Sequence, residues 1–529
     1  MKKRLALLMA ALIGVVTIMG GCGGKESGDG DAKTEGGGDG GGTFIIRSQG
    51  DPVSFNPDTI GDDNGYPIAQ NMYLRLCALD VSKQNLVPEA AKEWSYSDDA
   101  KSLTFKLRED LKWTDGEVLN SEDVKYTFDT IKATPSYYFS ASMANVESIE
   151  APDDYTVIFH MTEPDASFAS ILGWYATFIL PEHVYNNGQP WEDNPANMEP
   201  VSCGPFMLEE YKQGESVTLV KNPDFPDQAK LDKLIFSIIP DEATAIQALK
   251  NGEIDFYENL PTASAKELEA DDSIRVVYNK YPSPIRMIFN LRDEKIADLA
   301  LRKAIATAVN RDEISEKVFS KVQEPEYCLY PSMIDWAANK DDVAPSFSIE
   351  EARKILEEAG YKADADGMYV TGLTIDVFEG NGYPDTAKLI QATLKEAGIG
   401  VELNVQEYNA WNQKVGIEND FQIELQGGFM GPDPVALANR IGTGQSSNWG
   451  GYSNARVDEL LAMGVATSDQ NERAEYYKEV QKILSEELPY FNIVSFAGPE
   501  ANSARFENLP FDGEGKWAWA DYSHTELVK

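Results

Sequence analysis

Alternating apolar and polar residues predict a strand, a turn and a helix within residues 86–130. Apolar side chains occupy every second position of Ser102–Leu107, which is typical of a half-buried strand. Residues 114–116, Thr-Asp-Gly, are suited to a turn because glycine accepts a positive φ. Ser121 is the predicted N-cap of the helix that follows. The apolar stripe of this helix is formed by Val124, Phe128 and Ile131.

The same criteria predict strands and helices along the rest of the chain. Predicted strands cover residues 43–48, 155–160, 234–239, 373–378, 401–405, 421–425 and 489–496. Predicted helices cover residues 68–76, 243–250, 299–309, 349–359, 386–397, 454–466 and 472–486. Ser348 is the predicted N-cap of the fourth of these helices. Strand, helix and strand within residues 373–405 form a βαβ unit, so this part of the chain is predicted to be α/β.

The N-terminus has the pattern of an export signal. Three basic residues precede an apolar run at residues 5–19, which is too short for a membrane span, so residues 1–21 are the predicted signal peptide. The Gly-Gly-Cys sequence that ends at Cys22 resembles a bacterial lipoprotein processing site, where Cys22 becomes the acylated first residue. Ordinary cleavage that leaves Cys22 free is the alternative. Residues 22–42 are rich in glycine and predict a disordered tether spanning roughly 25 Å.

Size and charge narrow the class of protein. The chain has 529 residues, too many for one ordinary hydrophobic core, so two or three domains are expected. It carries 87 acidic and 46 basic residues, a net charge of −41. Because such a surface repels nucleic acid and anionic lipid headgroups, we expect no nucleic-acid partner and a body held away from the bilayer.

The sequence carries no recognisable motif for catalysis or metal binding. The three histidines, which lack a catalytic or metal-binding spacing, are His160, His183 and His524. The cysteines of the folded body are Cys77, Cys203 and Cys328. Their odd number and wide spacing leave open one disulfide with one buried thiol. We therefore predict no enzyme, metal or cofactor, although a pair of glycosidase carboxylates could still be present among so many acids.

One segment resembles a known family. Residues 86–129 read LVPEAAKEWSYSDDAKSLTFKLREDLKWTDGEVLNSEDVKYTFD. This string is similar to the signature segment of the family 5 extracellular solute-binding proteins, the receptors of peptide ABC importers. Residues 203–206 (CGPF) and 252–256 (GEIDF) resemble further markers of the same family.

The resemblance implies an α/β fold with two lobes, like the class II periplasmic binding proteins, with an extra subdomain on lobe I. Lobe I would span residues 43–283, with the subdomain at about 85–195, and lobe II would span residues 284–494. Residues 495–529 would return to lobe I. The two crossings between the lobes, near Pro282 and Pro284 and near residues 489–496, would form the hinge.

The resemblance also suggests where a ligand binds. Residues 427–434 (GGFMGPDP) occupy the place of a cleft-lining loop, in which an aspartate of the family holds the α-ammonium group of a peptide. Asp433 is the only acid of this stretch, and Gly428 and Phe429 belong to the same loop, with Phe429 in place of the usual tryptophan. Ordinary turn formation by Asp433 is the alternative. The other candidate ligand contacts are Trp411, Trp449 and Tyr66.

The function implied by the resemblance is capture of short peptides by hinge closure and their delivery to the permease subunits of an ABC transporter. The protein would be a monomer on the extracytoplasmic face of the cell membrane, anchored through lipid at Cys22. An oligosaccharide receptor or a nickel-chelate receptor of the same family remains an alternative, as does a peptide-pheromone sensor. A secreted hydrolase is the alternative from another class. Sugar stacking on Trp411 and Trp449 would favour saccharides, whereas Asp433 on an ammonium group would favour peptides.

Overall fold

The structure is a computed structural model that describes residues 41–59, 64–80, 85–137, 139–174, 177–431, 433–510 and 520–528. The signal peptide predicted at residues 1–21, the lipidation site Cys22 and almost all of the tether at residues 22–42 lie outside the described residues. None of the helices in the described part of the chain combines the length and the apolar character needed to cross a bilayer.

The described part of the chain contains both strands and helices, some in alternation and some in runs of one kind. The strands are β1 (Thr43–Ser48), β2 (Cys77–Leu79), β3 (Leu86–Pro88), β4 (Ala91–Tyr96), β5 (Ser102–Leu107), β6 (Val146–Asp153), β7 (Thr156–Met161), β8 (Phe206–Lys212), β9 (Ser216–Lys221), β10 (Lys233–Ile238), β11 (Phe256–Tyr257), β12 (Ile274–Phe289), β13 (Val370–Phe378), β14 (Ile399–Gln406), β15 (Ile423–Gln426), β16 (Tyr490–Ser503), β17 (Phe506–Glu507) and β18 (Glu526–Leu527). The helices are α1 (Gly65–Met72), α2 (Ser121–Ala133), α3 (Phe168–Leu172), α4 (Glu182–Tyr185), α5 (Glu242–Asn251), α6 (Thr262–Leu268), α7 (Leu299–Thr307), α8 (Arg311–Lys317), α9 (Ile349–Glu358), α10 (Tyr383–Glu396), α11 (Tyr408–Trp411), α12 (Ala436–Ile441), α13 (Ala455–Val465) and α14 (Gln470–Glu487).

One long sheet connects the two largest hydrophobic cores of the described residues. Its ten strands run in the order β14-β13-β15-β12-β16-β11-β1-β10-β9-β8, with β12 and β16 in the middle. The first core is formed by side chains between Phe44 and Phe256, together with a few that follow residue 505. The second core is formed by side chains between Ile285 and Val494. We call the parts of the chain built on these cores the first lobe and the second lobe. A separate sheet, β4-β5-β7-β6, packs with α2 in the first lobe, within the range predicted for the extra subdomain.

The strands β12 and β16 pass from one lobe to the other. They pair antiparallel from Ile274 opposite Ser503 to Ile288 opposite Tyr490, and their register shifts between Tyr281 and Ile285. Pro282 and Pro284 lie in this interval and have no N–H group to donate to the ladder. The pairing is therefore weakest where the chain crosses between the lobes. The lobe boundaries and the hinge role of this crossing remain predictions.

The local predictions hold for most elements, with some corrections. The βαβ unit is confirmed, because β13 and β14 are parallel neighbours joined by α10. Ser348 caps α9, since its hydroxyl accepts from the Glu351 N–H at 3.1 Å. The prediction that Ser121 caps α2 is wrong: the extended residue Asn120 is the N-cap, and its side chain accepts from the Glu122 N–H at 2.8 Å. The helix predicted at residues 68–76 is displaced and lies at Gly65–Met72.

The three cysteines of the folded body are buried free thiols. Burial is the main cause that raises the pKa of each thiol, and for Cys328 it raises the pKa to about 12. Because all three thiols are free, the alternative of one disulfide among them is wrong. These thiols stay protonated at neutral pH and serve as small packing groups.

Candidate functional site

The two lobes touch through an aromatic pair. The rings of Trp174, from the first lobe, and Phe429, from the second, are stacked with centroids 4.4 Å apart and planes within 8° of each other. Nearby, the Ala166 N–H of the first lobe donates to the Val465 carbonyl of the second at 2.9 Å. Phe429, which belongs to the loop predicted to line the cleft, therefore faces the first lobe.

On the first-lobe side, Trp174 is held by a buried arginine. The guanidinium of Arg75 donates to the Trp174 carbonyl at 3.1 Å, to the Tyr66 hydroxyl at 2.7 Å and to the Gln70 side chain at 2.7 Å. It also pairs with Glu89 at 3.0 Å. Burial on its own would lower the pKa of Arg75, but the charges of Glu89 and Tyr66 and the hydrogen bonds to them together raise it. Tyr66 is thus placed close behind the aromatic contact, with its hydroxyl engaged in holding Arg75.

On the second-lobe side, two glycines shape the loop that carries Phe429. Gly428 has φ +154° and Gly431 has φ +75°, conformations that residues with a Cβ rarely adopt. The Met430 N–H donates to the Pro282 carbonyl at 2.7 Å, so the loop is bonded directly to the crossing strand β12. Movement at the crossing would therefore be transmitted to the loop that meets the first lobe.

Asp433 lies at the base of this loop in a buried ion pair. Both of its carboxylate oxygens accept from Nη2 of Arg473, at 2.7 and 2.8 Å, and the two side chains are only 5% and 8% exposed. One oxygen also accepts from the Val435 N–H at 3.0 Å. The carboxylate thus has a partner within the protein, and its pairing with a ligand ammonium group remains a prediction.

The two candidate tryptophans differ in exposure. Trp411 is 2% exposed and packs in a small apolar cluster with Val415 and Phe421, so neither face of its ring is open to a sugar. Trp411 thus has the environment of a packing residue, and its role as a ligand contact stays a prediction. Trp449 is half-buried, lies edge-on to Trp411 at 5.9 Å and lines a cavity.

Two residues that the sequence analysis missed, Arg286 and Arg440, line that cavity. Its volume is about 20 Å³, and its walls also include Met430, Trp449 and Tyr490. Arg286 is 2% exposed and stands on β12 opposite Gln426 of β15. The signal was present in the sequence, because Arg286 is the one charged residue of the apolar stretch at residues 285–289, and a charge is costly to bury unless something pairs with it.

Burial acts on the pKa of both arginines, and the charge of Arg286 also acts on that of Arg440. Partial burial and then the charge of Arg286 lower the pKa of Arg440 to about 9. Burial also lowers the pKa of Arg286, against the opposing effect of Glu424. Glu424 is itself fully buried, and burial raises its pKa to about 8. The cavity is therefore a site where positive charge is not fully balanced.

In the part of the chain that the structure describes, no group of three or more histidine, cysteine and acidic side chains is arranged to hold a metal ion. The Asp-rich turn at residues 364–367 is closed by its own hydrogen bonds, with Asp364 accepting from the Asp366 and Met368 N–H groups at 2.9 Å each.

Comparisons with known proteins agree with this architecture. Residues 85–449 match the sequence model described as "Bacterial extracellular solute-binding proteins, family 5 Middle". The chain is 28% identical over 510 residues to the oligopeptide-binding protein AppA of Bacillus subtilis, covering 92% of this chain and 93% of that protein.

Solved structures show the same fold. A substrate-binding protein of an ABC transporter from Listeria monocytogenes, CtaP, is 25% identical with a TM-score of 0.81, covering 93% of this chain and 100% of that one. The structure of Bacillus subtilis AppA in complex with a nonapeptide is 25% identical with a TM-score of 0.70, covering 93% of this chain and 99% of that one. The predicted α/β fold with two lobes is confirmed.

Proposed function

Because the chain belongs to the family 5 bacterial extracellular solute-binding proteins, we propose that it is the receptor of an ABC importer and captures short peptides between its lobes. The similar Bacillus subtilis protein is named for oligopeptide binding, and its structure contains a nonapeptide. The observation that supports the proposal best is the stacked pair of Trp174 and Phe429, which places aromatic surface from both lobes at their contact.

The binding mechanism follows from the connection between the lobes. Two half-sites joined by crossing strands enclose a ligand when the lobes rotate about the crossing. An extended peptide would be held by main-chain hydrogen bonds, which recognise peptides as a class, while its side chains would enter wet pockets of low selectivity. The burial of Trp411 supports a peptide over the saccharide alternative, which relied on sugar stacking at Trp411 and Trp449.

Closure on the ligand is the first testable consequence. A pool of tri- to pentapeptides should lower the radius of gyration measured by solution X-ray scattering, because a ligand that contacts both lobes favours the closed form by its difference in affinity. The same pool should raise the unfolding temperature, since binding to the native state stabilises it by about 2.7 kcal/mol at a hundredfold excess over Kd. A pool of oligosaccharides is the control. An unchanged radius of gyration at saturating peptide would contradict hinge closure.

Membrane anchoring through Cys22 is a second part of the proposal. Cys22 follows a signal-like segment and precedes a glycine-rich stretch, so acylation there would leave the folded body on a tether. More than one acyl chain is needed for stable attachment. We expect Cys22→Ala to abolish lipid labelling and to release the protein from the membrane fraction, as measured by fractionation of the native host. A Cys22→Ala protein that remained acylated and membrane-bound would exclude this anchor.

The partners follow from the same proposal. The closed, peptide-loaded receptor would dock as a monomer on the permease subunits of the importer at the extracytoplasmic face of the membrane. No catalytic step and no cofactor enters this cycle, which consists of capture, closure and release.

A further inference from the structure

Two guanidinium groups converge behind the loop that meets the first lobe. A Cβ atom placed on Gly428 would lie 3.5 Å from Nη2 of Arg286 and 3.8 Å from Nη2 of Arg440. The two cations therefore flank one small space, which the absence of a side chain at Gly428 keeps open. The next residue, Phe429, makes the aromatic contact with the first lobe, so this space lies directly behind the interlobe surface.

Neither cation is neutralised by an ion pair within the described part of the chain. Nη1 of Arg286 donates to the thioether sulfur of Met430 at 2.8 Å, and its buried Nη2 has no hydrogen-bond partner. Nη2 of Arg440 donates to the Phe429 carbonyl at 2.6 Å. A thioether is a weak acceptor, and an unpaired buried donor costs free energy.

The other buried arginines differ in their partners. Arg75 and Arg473 each hold a carboxylate, at 3.0 and 2.7 Å respectively, whereas Arg302 and Arg311 donate to backbone carbonyls. Glu424 is the acid that acts on the pKa of Arg286. Burial raises the pKa of Glu424 to about 8, so its negative charge is only partly present at neutral pH. One of its oxygens accepts from Gln426 at 2.9 Å, and the other is buried without a partner. The cluster thus retains excess positive charge.

From this geometry we propose that Arg286 and Arg440 form an anion subsite that takes a carboxylate of the bound ligand. The proposal rests on the proposed function, since the ligand is then a peptide, and its carboxylate is either the C-terminal one or that of an acidic side chain. A carboxylate supplies the strong, charge-assisted acceptor that a guanidinium fork matches.

The carboxylate reaches the subsite when Met430 turns aside. The adjoining cavity, at about 20 Å³, holds about one water-sized group, so a carboxylate needs the space that the Met430 side chain fills. A methionine side chain has three rotatable bonds and adapts at low cost. Gly428 and Gly431 on either side give the loop the freedom to move with it.

Calorimetric titration with trialanine, its C-terminal amide, and the amides of Ala-Glu-Ala and Ala-Gln-Ala tests the subsite. The wild type should bind one of the carboxylate-bearing peptides about 10- to 100-fold more tightly than its neutral counterpart. The trialanine pair reports on the C-terminal carboxylate, and the Ala-Glu-Ala and Ala-Gln-Ala pair reports on a side-chain carboxylate. In Arg286→Met and Arg440→Met this ratio should collapse, whereas Arg440→Lys should keep part of it.

Arg456→Met is the matched control, because Arg456 is an exposed arginine of the same lobe, and it should leave the ratio unchanged. Equal binding of charged and neutral peptides by the wild type overturns the proposal. So does a ratio that survives both methionine variants. If Arg286→Met fails to fold, the two Arg440 variants decide the question.

Failure of the proposed function would look different, because the peptide pool of the closure experiment would then leave both scattering and unfolding unchanged. In that case, or if only the trialanine series fails to bind, the subsite is tested with acetate and citrate. The measurement is the unfolding temperature in the presence of each anion at constant ionic strength. Thermal stabilisation by these anions in the wild type and Arg456→Met, but not in Arg440→Met, supports the subsite. Absence of stabilisation in the wild type overturns it.

Discussion

Asp433→Asn is expected to lower the free energy of unfolding by about 3–5 kcal/mol, because it leaves the buried guanidinium of Arg473 without its counter-charge. Both side chains are at most 8% exposed, so water cannot replace the lost carboxylate. Burial on its own would lower the pKa of Arg473, but the charges of Asp433 and Tyr477 and the hydrogen bonds to them together raise it. Urea denaturation measures the loss.

The matched control for this variant is Glu459→Gln, which breaks an exposed pair with Arg456 in the same lobe. Exposed pairs contribute about 0–1 kcal/mol, so this control should stay close to the wild type. If Asp433→Asn is as stable as the wild type and weakens only peptides with a free α-ammonium group, the carboxylate serves the ligand instead of the fold.

Glu89→Gln is the second substitution with a large expected effect, again about 3–5 kcal/mol of the free energy of unfolding. It removes the carboxylate that pairs with the buried Arg75 at 3.0 Å and also accepts from the Arg75 backbone N–H at 2.7 Å. Because Arg75 also holds the Trp174 carbonyl, the variant should weaken peptide binding as well as stability. Urea denaturation and calorimetry separate the two effects.

An exposed pair in the first lobe provides the control. Glu109→Gln breaks the contact with Lys92, in which both side chains are about half exposed or more, and should change neither stability nor binding. A Glu89→Gln protein that binds peptides as the wild type does, despite lower stability, would remove Arg75 from the support of the aromatic contact.

The expected change in stability differs between buried arginines that pair with an acid and Arg286, which does not. Removing the partner of Arg75 or Arg473 leaves a buried charge without its counter-charge. Removing Arg286 instead takes away a charged group that has a buried nitrogen without a hydrogen-bond partner among the described residues. Arg286→Met should therefore not lower stability, since replacing a buried ion by an apolar side chain is often neutral or favourable.

The sequence alone predicted the elements well where periodicity is strong. Ser102–Leu107 has the predicted bounds, and β13, α10 and β14 form the predicted parallel unit. The cap of α2 was misplaced by one residue because Asn120 and Ser121 are both good caps, and only the backbone conformation decides between them.

The site could be predicted only in part, because its contacts join distant parts of the chain. Asp433 and Arg473 are 40 residues apart, and no local pattern reveals that they pair. The burial of Trp411 depends on Phe421 and on other elements that fold against it. Alternation in β12 places Arg286 on one face of the strand but cannot tell which face turns toward the loop at residues 427–431.

The central claim, that a short peptide is the ligand held between the lobes, is tested most directly by isothermal titration of the refolded, ligand-stripped protein with tri- to pentapeptides and, separately, with oligosaccharides. The account predicts saturable binding of one peptide per protein with a negative heat-capacity change, because closure buries apolar surface such as the rings of Trp174 and Phe429. Binding of oligosaccharides without any binding of peptides would contradict it.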